Sequence, residues 1–487
     1  MMMYMKNIDL TPLKNESPGG ASKPARGGNA RRRNPSLLAA GIACLLWAWL
    51  FSPVSAQTPV TYQEVLTWAL TNHPVATTAA AVEQRGRAER LRARAALDPK
   101  LGIDYDRKDF KGTEYFDYGT AELSWQSPYA LKIAGGYQRA EGAFLSAERT
   151  VPERGQAYLA LKLPLLRGLM TDATRIGLKR GELAIDRQRA VADVLRNDLR
   201  YDLTLRYLEW TFTARAVDLN RLIEGFLEQR LVDYRSLVRQ GDKPAVDTLE
   251  ATVYLGQQRQ ILNQAVIDED LARAALAELY WPLEAEDRPV AISIVELTAG
   301  LAPDATPEGH PELRQLQLQL RDASLARDLK REELKPELNL SYYLLGDGFA
   351  LPETNGAGPF TEAYKLGVTA SYPLLNRKAR AGVQLGELKV IESEAKLNGK
   401  TQALQVKVAA YRVAIDAYAV QLAAAETLAE QAGRLLEAER ELYRLGESTQ
   451  FLINAREQAF LKARLGVVKL SFGRGKMVAG WRYLLGR

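Results

Sequence analysis

The sequence predicts a mostly helical chain with a smaller strand part, built from two copies of one module: short helix, strands, long helix, tight turn, helix. Three observations predict it. The same landmarks recur in the same order in both halves. Segments alternating between apolar and polar residues follow a proline in each half. Proline-free stretches then follow, one of them with apolar residues every 3.5 positions.

His73-Pro74 recurs as His310-Pro311, and Leu97-Asp98-Pro99-Lys100-Leu101 as Leu334-Lys335-Pro336-Glu337-Leu338, both 237 residues later. Pro164-Leu165-Leu166 returns as Pro373-Leu374-Leu375 at an offset of 209. Gly177 and Gly181-Glu182-Leu183 match Gly382 and Gly386-Glu387-Leu388, and Arg239-Gln240-Gly241-Asp242 matches Arg444-Leu445-Gly446-Glu447, all at 205. The offset holds within helices and changes between them, because loops and hairpins tolerate insertion and packed helices do not. The division is a first repeat over 57–281, a linker over 282–306 and a second repeat over 307–487.

Taken in order, each module opens with a helix whose first residue is Pro74 or Pro311, positions that need no amide hydrogen. His73 and His310 are the only histidines, and their matched places at helix entrances point to capping rather than to a metal or catalytic pair. Pro99 and Pro336 stop these helices and start extended segments. Leu101, Ile103 and Tyr105 alternate with Gly102, Asp104 and Asp106, as Leu159, Leu161 and Leu163 do with Tyr158, Ala160 and Lys162. The second half repeats this with Leu338, Leu340 and Tyr342, and with Leu366, Val368, Ala370 and Tyr372. A period of two with aromatics at the ends suits strands that face lipid on one side. Ala121, Leu123 and Trp125, then Leu131 and Ile133, lie in an extra 28 residues of the first half and suit one more hairpin.

The long helices run from about Thr174 to Arg239 and from Arg377 to Tyr443, each roughly 100 Å at 1.5 Å per residue. Leu404, Val408, Tyr411, Ile415, Tyr418, Leu422 and Ala425 mark a coiled-coil seam. Such rods are too long for a compact core and must pack on other rods. Four to six strands are fewer than the roughly eight of a small closed barrel, so membrane strands here require several copies of the chain.

The net charge of +6 sits largely in a leader. Residues 1–56 hold seven Lys or Arg and two acids, whereas the remainder holds 58 bases and 57 acids, which argues against a nucleic-acid partner. Arg31-Arg32-Arg33, the apolar run Leu37–Phe51 and Val54-Ser55-Ala56 follow the order of a secretory signal, cleaved before Gln57. Cys44, the single cysteine, lies in that leader and is a weak lipidation candidate.

The duplicated proline pairs, the Pro164-Leu165-Leu166-Arg167-Gly168 strand exit and the two glycine turns resemble the TolC-like outer-membrane factors, the outer membrane efflux proteins of tripartite efflux and type I secretion systems. The resemblance covers roughly 60–487. It implies a homotrimer in which an outer-membrane β-barrel of twelve strands stands on a periplasmic α-helical tunnel, gated at its inner tip. It also implies docking to a periplasmic membrane-fusion (adaptor) protein and an inner-membrane pump. The extra hairpin departs from that plan.

The resemblance places the functional end at the two helix turns. Gly241, Asp247, Glu250 and Ala251 keep the family's order, while the second turn reads Gly446, Phe451, Leu452, Asn454 and Ala455, one residue shorter. The expected gate is therefore apolar packing plus an amide (Phe451, Leu452, Asn454) with Asp247 and Glu250 on the first turn. A solvated helix start explains those two acids equally well. Arg239 and Gly241, with Tyr443, Arg444 and Gly446, are the expected adaptor-docking turns. Gly241 and Gly446 are expected to be left-handed.

An enzyme reading finds no serine, cysteine or histidine constellation, and Phe472-Gly473-Arg474-Gly475-Lys476 lacks the spacing and hydroxyl of a phosphate loop. No metal or cofactor is expected. The competing reading, a periplasmic or surface coiled-coil scaffold, leaves the alternating segments unexplained, and a simple porin leaves no place for the rods.

Overall fold

The computed structural model describes residues 59–299, 302, 305–350 and 363–486. The expected signal over 1–56 and Cys44 lie outside them.

Each half carries the expected order of elements. The first has β1 (Pro59–Val60), α1 (Tyr62–Asn72), α2 (Pro74–Arg94), β2 (Lys100–Phe110), β3 (Thr113–Gln126), β4 (Lys132–Glu141), β5 (Gln156–Pro164), α3 (Ala173–Gln240) and α4 (Ala245–Ala277). After β6 (Arg288–Pro289) and α5 (Ile294–Thr298), the second has α6 (Pro311–Glu332), β7 (Glu337–Leu345), β8 (Tyr364–Ser371), α7 (Arg377–Arg444) and α8 (Gln450–Leu484). The two rods, α3 and α7, are 68 residues each.

Both histidines cap. The Val75 amide donates to His73 Nδ1 and the Glu312 amide to His310 Nδ1, each at 3.2 Å, with proline at the first helical position. The repeated Gly-Glu pair also has a cause. Gly181 lets α3 lie against α2, since a Cβ there would sit 2.5 Å from the Ala93 Cβ. Gly386 does the same for α7 against α6, at 3.2 Å from the Arg327 Cα. The adjoining glutamates bind matching arginines: Arg94–Glu182 at 3.0 Å and Arg331–Glu387 at 2.8 Å.

Near the strands, α2 packs on α3, α3 on α6 and α6 on α7; near the turns the order is α4, α3, α8, α7. The predicted seam on α7 faces α8. Tyr411 and Tyr418 enter gaps left by Gly480 and Gly473, where a Cβ would fall within 3 Å of each ring. The phosphate-loop-like stretch is helical, and its Gly475 receives Leu208. At the waist, Tyr207 and Trp210 are fully buried, and the Tyr207 hydroxyl donates to the carbonyls of Val60 (2.9 Å) and Val290 (2.6 Å) beside the parallel pair β1–β6. No described helix is long and apolar enough to cross a membrane.

The strands form one antiparallel sheet in the order β2-β3-β4-β5-β7-β8. The resemblance implies four strands per chain; the sheet has six, because the extra residues fold as the β3–β4 hairpin between β2 and β5. A tight turn with Lys111 at φ 55° and Gly112 at φ 80° joins β2 to β3, as expected of a two-residue hairpin. The register brings Leu101, Leu123, Gly135, Leu159 and Leu344 onto one row, and Ile103, Ala121 and Tyr137 onto the next. That face is apolar and exposed: Leu101 is 71% and Ile103 73% accessible. The other face carries Asp104, Thr120, Gln138, Glu122 and Lys162, and there Ala134, Tyr158 and Ala160 crowd into a buried cluster.

Two expectations follow. Gly181→Val lowers the stability of the detergent-solubilised protein by about 1–3 kcal/mol through overpacking against Ala93, whereas Glu182→Gln, on an exposed pair, costs under about 1 kcal/mol; thermal unfolding measures both. His310 is 2% exposed, and burial holds its imidazole below the ordinary value of 6.5, with Glu312, Lys400 and Asp198 the charged groups acting on it. The unfolded chain then binds the extra proton first. The stability His310 contributes is complete above pH 6.5 and is lost as pH falls below it, a loss that His310→Asn, a cap without a titrating ring, removes from melting profiles between pH 7.5 and 5.

Candidate functional site at the helix turns

Both rods end in the same way. The Asp242 amide donates to Leu237 O (3.0 Å) and the Gly241 amide to Val238 O (3.1 Å), with Gly241 at φ 82°. In the second half, the Glu447 amide donates to Leu442 O (2.9 Å) and the Gly446 amide to Tyr443 O (3.1 Å), with Gly446 at φ 79°. These are paired Schellman turns, in which a left-handed glycine lets the last carbonyls of the rod find donors. From each glycine the next helix starts four residues on, at Ala245 and at Gln450. The turns are therefore equal in length, contrary to the shorter second turn read from the sequence. Val246 pairs with Phe451, and Asp247 with Leu452.

The structure separates the expected gate residues into two groups. Phe451 is 69% exposed, and Leu452 is exposed too, as are Val246 and Leu249 on the first turn. Asn454 is buried, and its Oδ1 accepts from Arg230 of α3. Asp247 is half-buried beside Lys243 (3.7 Å), and Glu250 is exposed. Arg239 and Arg444 are exposed; Tyr443 is half-buried against the first turn. Arg239 also lines a shallow groove with Arg235, Val238, Thr248 and Leu249 on the α3–α4 hairpin.

Beneath the turns lies a charge cluster that the sequence reading missed. Glu457, 3% exposed, forms an ion pair with Arg230 at 2.5 Å and accepts from Arg440 at 3.0 Å, joining α3, α7 and α8. Arg456 binds the buried Glu439 at 3.3 Å, and Ser448 donates to the same carboxylate. The Tyr234 and Tyr443 hydroxyls lie 3.4 Å apart, with the Lys243 ammonium over both rings. Burial, then the Tyr443 hydroxyl, push the Tyr234 phenol up. Arg230 and Glu457, like Tyr234 and Tyr443, stand more than 200 residues apart in the chain, and the pairs across the second turn follow no helical period, so no local spacing marks the cluster. Among the described residues no group of three or more His, Cys, Asp or Glu side chains is placed to hold a metal ion.

Residues 302–471 match the model of the outer membrane efflux protein family. No curated protein matches the sequence. The chain's fold is similar to that of the outer membrane protein VceC from Vibrio cholerae, at 14% identity over 87% of this chain and 96% of that one with a TM-score of 0.62. It is also similar to the open state of the MtrE outer membrane channel of Neisseria gonorrhoeae (14%, 87% and 88%, 0.60) and to the CmeC outer membrane channel of Campylobacter jejuni (13%, 87% and 85%, 0.59). The described architecture is thus similar in fold to these outer-membrane proteins.

Glu457→Leu leaves Arg230 and Arg440 facing one another without a counter-ion. The expected cost is about 3–5 kcal/mol, the usual penalty of a stranded buried charge. Faster hydrogen exchange confined to 228–240 and 440–457 is the expected readout.

Proposed function

We propose that the chain is the outer-membrane channel of a tripartite efflux or type I secretion system, acting as a homotrimer that carries cargo from a periplasmic pump and adaptor to the exterior. The observation that carries this reading is the open sheet. Among the described residues it has one apolar face, one polar face and two outermost strands, β2 and β8, which in lipid require closure by further copies. The rods pose the same demand. Val406, Val413, Val420, Leu428, Leu435 and Leu442 recur every seven or eight residues on the outer side of α7, and Val246, Val253 and Ile267 at multiples of seven on α4; all are exposed. Heptad stripes on the two outer helices of a four-helix layer suit lateral packing of identical copies. The family match over 302–471 supports the same conclusion.

In this reading the polar face of the sheet lines the pore and the apolar face meets lipid, while the four helices of each copy build the periplasmic tunnel. Residues 57–281 and 307–487 are the two repeats, joined by the linker 282–306. Phe451 and Leu452 narrow the inner mouth with exposed apolar side chains. Asn454 acts from beneath by fixing Arg230, and Asp247 and Glu250 border the first turn. Arg239, Gly241, Tyr443, Arg444 and Gly446 present the turns to the adaptor, and the groove around Arg239 lies beside them.

The protein is expected in the outer-membrane fraction and as trimers in detergent that dissociate on heating. Recovery as a water-soluble monomer overturns the reading. Phe451→Ala with Leu452→Ala raises single-channel conductance in planar bilayers, and unchanged conductance moves the constriction elsewhere.

A further inference from the structure

We infer that the membrane barrel of this protein is closed by eighteen strands, six from each of three copies, with β8 of one copy pairing with β2 of the next. The inference rests on the trimeric reading above and deepens it.

The direction of the strands permits this closure. Leaving α2, β2 runs away from the helices; alternation through the antiparallel sheet brings β8 back toward α7. The outermost strands of one copy are therefore opposite in sense, so β8 meets the β2 of a neighbour antiparallel, and the ladder continues without a break. An even number of strands per copy makes this possible at every junction.

The hairpin belongs to the barrel wall. It occupies both inner edges it touches: β3 pairs with β2 along its whole length, and β4 with β5. β5 is already paired on its far side with β7, so β2 reaches β5 only if the hairpin peels away. Its residues also keep the sidedness of the wall. Leu123, Trp125, Ile133 and Tyr137 stand in register on the apolar face, between Leu101 and Ile103 on one side and Leu159 and Leu161 on the other. A hairpin lying elsewhere has no need of an outward apolar stripe at matched height. On the opposite face, the Tyr158 hydroxyl donates to Glu122 at 2.8 Å, tying the hairpin to β5. That carboxylate then faces water in the lumen rather than lipid, where a charge is costly. The crowding of Ala134, Tyr158 and Ala160 on the polar face, with exposure on the apolar face, is what a sheet curved around its polar side produces.

The dimensions agree. The four helices beneath the sheet (α2, α3, α6, α7) span about 32–40 Å of arc at 8–10 Å each. Six strands about 4.8 Å apart and tilted about 40° span about 38 Å, whereas four span about 25 Å. Six strands therefore let the barrel stand on the tube without a taper. The lumen at the membrane becomes about one and a half times as wide as that of a twelve-stranded barrel, which leaves the turns at the other end as the narrow point.

The test is a spin-label distance. Ile103→Cys, on the exposed apolar face of β2, is labelled in a Cys44→Ser background and measured as the detergent trimer by pulsed dipolar spectroscopy. Eighteen strands place the three Cα atoms about 30 Å apart, against about 20 Å for twelve, with the label adding the same offset to both. The longer distance in a trimer supports the inference. A trimer with the shorter distance overturns it and leaves the channel reading standing, while a monomer overturns the channel reading itself. Should Ile103→Cys fail to assemble, Val368→Cys on β8 gives the same comparison from the other edge.

Discussion

A β-sheet with two free edges and one apolar face is stable in water only as far as water satisfies its edge amides and carbonyls. Hydrocarbon offers no such partner, so an unpaired strand in lipid costs several kcal/mol for each stranded group. Among the described residues β2 and β8 are such edges, and the row from Leu101 to Leu344 is such a face. The rest of the molecule follows from how that demand is met. The rods meet a milder version of it, since α4 and α7 carry apolar stripes that their own chain leaves uncovered. In the proposed channel, strands and helices ask for the same neighbour on the same two sides, and one rotational copy operation would answer both.

Within one chain, small local devices hold very long elements in place. A histidine cap and a proline start each short helix, and one glycine in each rod lets that helix lie close enough for the adjoining glutamate to reach an arginine. The exposed ion pairs add little energy; the close approach is the larger effect, because dispersion falls steeply with separation. Tyr411 and Tyr418 against Gly480 and Gly473 fix the register of α7 on α8 in a similar manner, by shape. Registers set at a few points suffice over 68-residue rods, because a helix is stiff between them.

At the turns the balance is different. Apolar side chains such as Phe451 and Val246 are exposed, while charged ones such as Glu457 are buried. A buried carboxylate between two arginines contributes little net stability relative to an apolar core, yet it fails badly when one partner leaves.

The sequence by itself determined the module and its duplication. Proline, glycine and the 3.5- and 2-residue periods act through the local backbone, so the rods, the caps, the left-handed Gly241 and Gly446 and the alternating strands were legible from neighbouring residues. The extra hairpin was legible as a possibility, because alternation marks a strand but not its neighbours. Its place in the ladder, between β2 and β5, depends on hydrogen bonds between distant segments. The equal length of the two turns is set by the left-handed glycine and the start of the next helix four residues on, a backbone geometry that matching side-chain identities does not reveal. The Arg230–Glu457–Arg440 cluster and the burial of Asn454 were invisible for the same reason that the strand order was: they join residues more than 200 positions apart, or on three separate helices, and an ionic contact leaves no period in the chain. Only packing decides which charges meet.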